Sequence, residues 1–475
     1  MNGSIAALRM ACVFAAVLTV TPAVQAAVVT FQVYTIDADN SGDTKALADI
    51  DGDGQLDPIL GGSSLAWYQR APAGYTYARY VIRAGPVHQE FTTDMQAGDI
   101  DGDGDPDIVV GDGSGRNNVL WFENPRINPP AGKASAPTVA DNWTYHAIGS
   151  HGQSAHDLGV GDINNDGKLD VVSGGHGYMH IWFQNGSNGW SDKDLSGLWG
   201  GGLCLGQIKA TSGLDIAIGT GWLEKPADPV NGTWIKHVID GAAGETAAIG
   251  DFNYDGRNDV VVAIQHAPGK FAWYEAPSDP TGAGWIEHVL DGSQGSHKIN
   301  VADFNKDGRP DIQTGLELTD LSIYLSLGGV GPAFEREQVS GGPQAASHNA
   351  RVGDLNGDGW YDIFGCDYIG NPPARVWIIF VLGDANQDGL VDGQDFTILK
   401  ANFGANGGWA QGNFNEDTIV DGQDFTILKA YFGQGTPLGG GPAVPEPTSL
   451  LLLALPALVA QLSKLCKPTG TRRGE

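Results

Sequence analysis

From residue 29 onward the chain alternates short apolar runs with polar, glycine-rich turns, and the runs recur in groups. LGVG (158–161) and DVVSGG (170–175) flank one polar phrase, DINNDGKLD (162–170), and both alternate with the two-residue period of a strand. A strand on either side makes the phrase the turn of a β-hairpin, not of a helix–loop–helix. A third strand follows in each unit, as in LAWYQ (65–69), VLWFEN (119–124), HIWFQN (180–185) and FAWYEA (271–276). One more precedes the next phrase: YARYVIR (77–83), NWTYHAI (142–148), WIKHVID (234–240) and WIEHVLD (285–291). Four strands per unit are the prediction.

The phrase recurs as DIDGDGQLD (49–57), DIDGDGDPD (99–107), DFNYDGRND (251–259), DFNKDGRPD (303–311) and DLNGDGWYD (354–362). A degenerate copy, QIKATSGLD (207–215), falls where the spacing requires one, and the intervals run from 44 to 63 residues. Seven units of one sheet each follow.

Every intact copy places side-chain oxygens at positions 1, 3, 5 and 9, with glycine at 6 for a left-handed turn. They are Asp49, Asp51, Asp53 and Asp57; Asp99, Asp101, Asp103 and Asp107; Asp162, Asn164, Asp166 and Asp170. The later copies carry Asp251, Asn253, Asp255 and Asp259; Asp303, Asn305, Asp307 and Asp311; Asp354, Asn356, Asp358 and Asp362. Such clusters repel themselves unless a cation sits inside. Calcium takes six to eight oxygens, and the position-7 carbonyl and water would complete the set. One copy reads equally as a solvated acidic turn; six at regular spacing do not. In the degenerate copy Gln207, Lys209 and Thr211 replace three ligands, so no calcium is expected there, and the Lys209 ammonium is the expected occupant of the space.

These repeats resemble the FG-GAP/VCBS repeat family over roughly residues 29–380. The resemblance implies an all-β fold, a seven-bladed β-propeller over residues 27–382 with calcium-binding hairpin loops. The last unit has only VWIIFVL (376–382) as its third strand, so Phe31–Ile36 is expected to supply the fourth and close the ring. Closure removes exposed sheet edges. Trp67, Trp121, Trp182 and Trp273 recur with the strand period, which favours a place in the core between blades over sugar stacking.

A different spacing follows, that of a twelve-residue loop leading into a helix. Asp384, Asn386, Asp388, Asp392 and Asp395 stand at positions 1, 3, 5, 9 and 12; Asn413, Asn415, Asp417, Asp421 and Asp424 repeat the pattern. The helices are expected to bury Phe396, Leu399 and Phe403 against Phe425, Leu428 and Phe432. Residues 383–434 resemble a dockerin module of small α-helical form, which implies a cohesin-like partner. The second copy has Asn413 at position 1 and Thr418 where glycine belongs, so weaker calcium binding is expected there. Gly393-Gln394 and Gly422-Gln423, at the recognition positions, differ from familiar cohesin-binding pairs.

Composition narrows the partners. Net charge is −29 with only 17% charged residues, and the acid is gathered in the turns. No basic stripe exists for phosphates, which excludes nucleic acid. Residues 1–26 read as a signal peptide, with Arg9, the apolar run Met10–Val20 and the small-residue site Val24-Gln25-Ala26. Cys12 and Cys466 lie in the ends, and Cys204 with Cys366 makes no disulfide framework. Residues 435–443 are a glycine-rich linker. Residues 444–475 join Pro445-Glu446-Pro447 to an apolar run (449–462) and to Lys464, Lys467, Arg472 and Arg473. This order is similar to a PEP-CTERM sorting signal, which implies an exosortase-type processing enzyme and delivery to the cell envelope or its exopolysaccharide. A tail anchor is the other reading.

In a propeller the first strand lines the central channel. Asp43, Thr93, His156, Gly201, Glu245, His297 and His348 stand six residues before their loops and are expected to ring one channel mouth. His176 and His266, just beyond second strands, point to the same face. His156, His176, Glu245, His266, His297 and His348 are therefore the candidate ligand-binding set. His156, Glu245, His297 and His348 could also hold a transition metal, or act as base and acid beside a uronate carboxylate. Lys298 or Arg351 would then neutralise that carboxylate. A wet channel lined by polar groups is an equal reading. The expected function is an exported, calcium-stabilised envelope or matrix protein that binds a ligand, with carbohydrate favoured. A polysaccharide lyase or sugar dehydratase is the alternative, and a passive spacer the third. No Ser-His-Asp order, phosphate loop or redox motif appears.

Overall fold

The computed structural model describes residues 29–434 except 73, 86–93, 113–116, 130, 187–188, 211–212, 220, 240–243, 265–268, 293–294, 316–320, 329–330, 340–347, 367–372 and 416. The expected signal peptide, linker and sorting segment, together with Thr93, Thr211 and His266, lie outside the described residues.

Seven four-stranded antiparallel sheets form the blades of the propeller. In blade one the strands are Thr44–Ala48, Asp57–Gly61, Leu65–Arg70 and Tyr77–Arg83, from the channel outward. The next five blades repeat this order. Blade seven joins Arg351–Gly353, Asp362–Gly365 and Ala374–Val381 to Val29–Asp37 from the chain's beginning. Val29 pairs with Val381 and Thr35 with Arg375, so the ring is closed by hydrogen bonds between its ends.

Burial follows strand position. Second strands such as Asp107–Asp112 and Asp259–Ala263 are buried throughout, because neighbouring blades cover both their faces. Outermost strands, such as Tyr77–Arg83, are only partly covered. Trp67, Trp121 and Trp273 are at most 1% exposed and Trp182 only 5%, which places them in the cores between blades and away from any sugar.

The C-terminal helices α1 (Gly393–Asn402) and α2 (Gly422–Tyr431) each start at an aspartate that caps them, Asp392 and Asp421. Leu399 and Leu428 are buried as expected, but Phe396, Phe403, Phe425 and Phe432 are exposed. The expectation of phenylalanine faces burying each other is corrected. Val391, Trp409, Phe414 and Val420 share one core with Phe380 and Val381 of blade seven. The Trp409 ring lies 5.1 Å from Phe380, and its indole N–H donates to the Asp384 carbonyl at 2.6 Å. That core takes the inner side of the helices, leaving Phe396 and Phe425 in contact at 5.7 Å on the outer side.

Candidate functional site

The hairpin loops are wound by their own side chains. At position 1, Asp49 accepts the Gly52 and Gly54 N–H groups at 2.8 and 3.0 Å, and Asp303 accepts the Gly308 N–H at 2.8 Å. Position 3 accepts from position 5, as in Asp166 N–H to Asn164 at 2.9 Å, and position 5 from position 7, as in Lys168 N–H to Asp166 at 3.0 Å. Position 4 adopts a left-handed conformation as well as position 6, with Gly52 at φ +79°, Asn165 at +59° and Tyr254 at +62°. The glycines and asparagine at position 4 were the signal for this second turn.

Position 9 does something further. One oxygen of its carboxylate accepts the position-2 N–H: Ile50 to Asp57 at 3.0 Å, Phe252 to Asp259 at 3.0 Å, Leu355 to Asp362 at 2.9 Å. From blade two to blade seven the other oxygen accepts an N–H at the end of the third strand, as in Asn124 to Asp107 at 2.8 Å and Ile379 to Asp362 at 2.9 Å. This carboxylate therefore ties three strands together.

Among the described residues, two triads bring ligand oxygens within 4.8 Å of one another: Asp49, Asp51 and Asp57, and Asp99, Asp101 and Asp107. Burial, reinforced by the Asp51 charge, pushes the Asp57 carboxyl up to about 8, and burial pushes that of Asp107 up to about 9. The donor set, all hard oxygens on a prewound loop, fits a calcium ion.

Blade four corrects one expectation. Lys209 does not fill the degenerate loop; its ammonium pairs with Glu224, which also meets His237 at 2.8 Å. Lys225 enters instead. It is 8% exposed, and its Nζ lies 3.4 Å from where a Cβ on Gly213 would stand. Asp215 still accepts the Ile208, Lys209 and Lys225 N–H groups at 3.0, 2.8 and 2.9 Å, so its closing role survives without the ligand set.

The two C-terminal loops repeat that closure in another setting. Asp395 accepts the Ala385 N–H at 2.8 Å and the Asp392 N–H at 2.7 Å; Asp424 accepts those of Phe414 and Asp421 at 2.7 and 2.8 Å. Asp392 and Asp421 each accept a helix N–H at 2.7 Å, so position 9 works here as a cap. Asn413, 3% exposed, has a buried Oδ1 without a hydrogen-bond partner, which suits position 1 of a cation site. Thr418 sits at φ +100°, a strained place for a β-branched residue.

The mouth opposite the loops gathers most of the predicted histidines. His156 of blade three reaches His297 of blade six, ring centroids 5.1 Å apart, and His297 lies 3.5 Å from His348 of blade seven. His348 contacts the Asp43 carboxylate, and His176 extends the string at 6.4 Å from His156. His156 Nδ1 is 3.0 Å from Asp157; burial lowers its pKa, but the Asp157 charge and hydrogen bond outweigh that and raise it overall. Glu245 is exposed elsewhere on the rim, its N–H on the Ala263 carbonyl at 2.8 Å. The string is a contact of ring on ring. Its members form no group of three metal-ligating atoms like the acidic triads.

The inner strands also carry buried charged groups. Asp94, 1% exposed, accepts from Lys298 Nζ at 2.9 Å, from the Arg351 guanidinium and from the Leu158 N–H at 3.2 Å. Lys45 donates to the carbonyls of Asp43 and His348 at 3.0 and 2.8 Å. Lys298 and Arg351, foreseen as partners for a substrate carboxylate, both donate to Asp94. His151 and His180, which sequence reasoning passed over, lie beside this string in blade three, 5.5 Å apart.

The indole nitrogens single out one further residue. Trp67 and Trp143 donate to the Pro137 carbonyl, Trp222 and Trp285 to Pro280, Trp234 to Pro229 and Trp182 to Ser173. Those of Trp121, Trp190, Trp273, Trp360 and Trp377 are sealed inside, and Trp409 is engaged as described. Trp199 alone, half-buried on the rim, is neither sealed nor bonded to a described group.

Residues 251–313 match the FG-GAP-like repeat family, a stretch from the blade-five loop to the second strand of blade six. No curated protein matches significantly. Among solved structures, the chain is similar to an Agrocybe aegerita lectin with specific recognition of non-reducing terminal N-acetylglucosamine, at 16% identity over 64% of this chain and 81% of that one, TM-score 0.42. It is also similar to BBS1N in complex with ARL6DN (10% identity, 75% and 97% coverage, TM-score 0.47) and to YCF48 from Cyanidioschyzon merolae (10%, 74% and 98%, TM-score 0.44). The protein is a seven-bladed β-propeller that carries an FG-GAP-like repeat at residues 251–313.

Proposed function

We propose that this is an exported, calcium-stabilised protein of the cell envelope or extracellular matrix whose propeller binds a ligand, with carbohydrate as the ligand class. The observation that carries the calcium part is the convergence of Asp49, Asp51 and Asp57, and of Asp99, Asp101 and Asp107, on loops already wound by their own hydrogen bonds. When bound, calcium supplies charge compensation and rigidity to the loop face; Asp and Asn oxygens at positions 1, 3, 5 and 9 would hold it. The N-terminal apolar segment and the C-terminal sorting-like segment support export and retention. The C-terminal loop pair supports a protein partner of cohesin type.

Binding is favoured over chemistry at the mouth. A lyase acting on a uronate needs a cation beside its base, and Lys298 and Arg351 are held by Asp94 instead. The His156–Asp157 pair is what favours the lyase or dehydratase reading.

The test mixes the mature chain with a panel of neutral and acidic polysaccharides, with calcium and with a chelator. Co-elution of intact polysaccharide in calcium, together with a lower melting temperature in chelator, is the expected result. Shortened chains with ultraviolet-absorbing ends would make the protein an enzyme. An unchanged melting temperature in chelator would remove calcium from the reading.

A further inference from the structure

The acidic loops of blades one, two and three are joined to one another by the residues at the ends of the third strands. In blade two that residue is Asn124, which is fully buried. Its backbone N–H donates to Asp107 of loop two at 2.8 Å. Its side-chain amide donates to the Ile50 carbonyl of loop one at 3.0 Å and to the Pro106 carbonyl of loop two at 3.1 Å. The Arg126 N–H donates to its Oδ1 at 3.2 Å, so both ends of the amide are engaged. In blade three the residue is Gln184. Its backbone N–H donates to Asp170 of loop three at 3.0 Å, and its side-chain amide to the Ile100 carbonyl of loop two at 2.6 Å.

Ile50 and Ile100 stand at position 2, and their N–H groups donate to the position-9 carboxylates Asp57 and Asp107 at 3.0 and 2.9 Å. The path is therefore unbroken: Asp57, Ile50, Asn124, Asp107, Ile100, Gln184, Asp170. Every residue on it is at most 3% exposed, so water does not stand in for a bond that slackens. Each carboxylate oxygen has a second lone pair, which lets position 9 accept these N–H groups and still face an ion.

The link is particular to these blades. At the same place blades five, six and seven carry Ala276, Ser326 and Ile379, whose N–H groups reach Asp259, Asp311 and Asp362. Alanine and isoleucine have no polar group to extend to a neighbouring loop, and the buried Ser326 hydroxyl has no hydrogen-bond partner among the described residues. Loops five and six meet instead through the Tyr254 hydroxyl on the Gly308 carbonyl at 2.6 Å, a contact that includes no position-9 carboxylate. Loops one and two, whose acidic oxygens converge, are the pair that Asn124 joins.

Orienting Asp107 by ligation therefore also orients Ile100 and Asn124, and Asn124 passes the constraint to Ile50 and Asp57. We infer that Asn124 and Gln184 are positioning residues that couple the cation sites of loops one, two and three, so that calcium fills them cooperatively. This rests on the calcium reading above and makes three of its sites interdependent.

The test is equilibrium dialysis of the mature chain against buffered calcium, with bound calcium counted at each free concentration. Asp51→Ala removes a ligand of loop one. Asn124→Leu and Gln184→Met remove the amides at nearly constant size, and melting in chelator checks that each variant folds. Asp51→Ala should remove one ion and raise the free calcium needed to fill a second site about fivefold or more. Combined with Asn124→Leu, it should remove one ion and shift nothing further. If Asn124→Leu does not fold, Gln184→Met combined with Asp166→Ala in loop three decides by the same comparison. A purely structural amide would lower the melting temperature and leave the response to Asp51→Ala as it was. That result, or a loss of one ion from Asp51→Ala without any shift, overturns the coupling and leaves the calcium reading standing. An equal shift after Asp307→Ala in loop six assigns the coupling to the whole ring and overturns the role of the two amides. A wild-type chain that takes up no calcium removes the reading on which the inference depends.

Discussion

Lys298 of blade six and Asp94 of blade two meet across the propeller channel, Nζ to Oδ2 at 2.9 Å, with Arg351 of blade seven on the other carboxylate oxygen. Burial would raise the Asp94 pKa, but the two cations overcome it and hold it below the usual carboxylate value. Removing one partner of a buried ion group leaves charges stranded, at a cost of about 3–5 kcal/mol. Asp94→Ala should therefore lower stability by that order, measured by chemical denaturation. A loss under about 1 kcal/mol would show that the channel centre is wetter than this arrangement implies.

Asp215 separates loop closure from ion binding. It accepts three backbone N–H groups in a loop that has lost its other acidic side chains. Asp215→Ala should cost about 2–4 kcal/mol by stranding those donors. The loss should be the same with calcium and with chelator. A loss seen only in calcium would mean that blade four binds the ion after all.

Thr418 holds a left-handed conformation that glycine takes without strain. Thr418→Gly should stabilise the C-terminal module by about 1 kcal/mol and tighten calcium binding at its second loop. Titration of the mature chain against a calcium indicator checks this, with Gly389→Thr in the first loop as the converse change.

His151 gives the pH dependence a definite sign. Burial, with the nearby His180 and His176 charges adding to it, brings its pKa down to about 4, against an ordinary value of 6.5. Above pH 6.5 both folded and unfolded chains hold it neutral, and its contribution is complete. As pH falls from 6.5 toward 4 the unfolded chain takes up a proton that the folded chain refuses, so stability declines by up to about 3 kcal/mol and then levels. His151→Asn should make that decline shallower in melting curves taken across this range.

The ring was legible because its signals are local and repeated. Alternation marked the strands, the nine-residue phrase marked each hairpin, and the missing strand of blade seven pointed to Phe31–Ile36, which lies within Val29–Asp37. What escaped was set by contacts between distant residues. Nothing in the spacing around Lys225 says that its ammonium turns toward Gly213, nor that Lys209 turns to Glu224. The phenylalanines of α1 and α2 kept a helical period, yet the core they would have filled came from Trp409 and from blade seven. His156, His297 and His348 meet ring on ring, but Glu245 stands apart along the rim.

The pairing of Val29–Asp37 with Ala374–Val381 also fixes which way the molecule faces. Both ends of the ring leave from blade seven, and the C-terminal module packs on that same blade through Phe380 and Trp409. The described chain therefore both enters and leaves the circle on the blade-seven side. Blades three to five occupy the far arc, so whatever meets their rim meets neither end of the described chain.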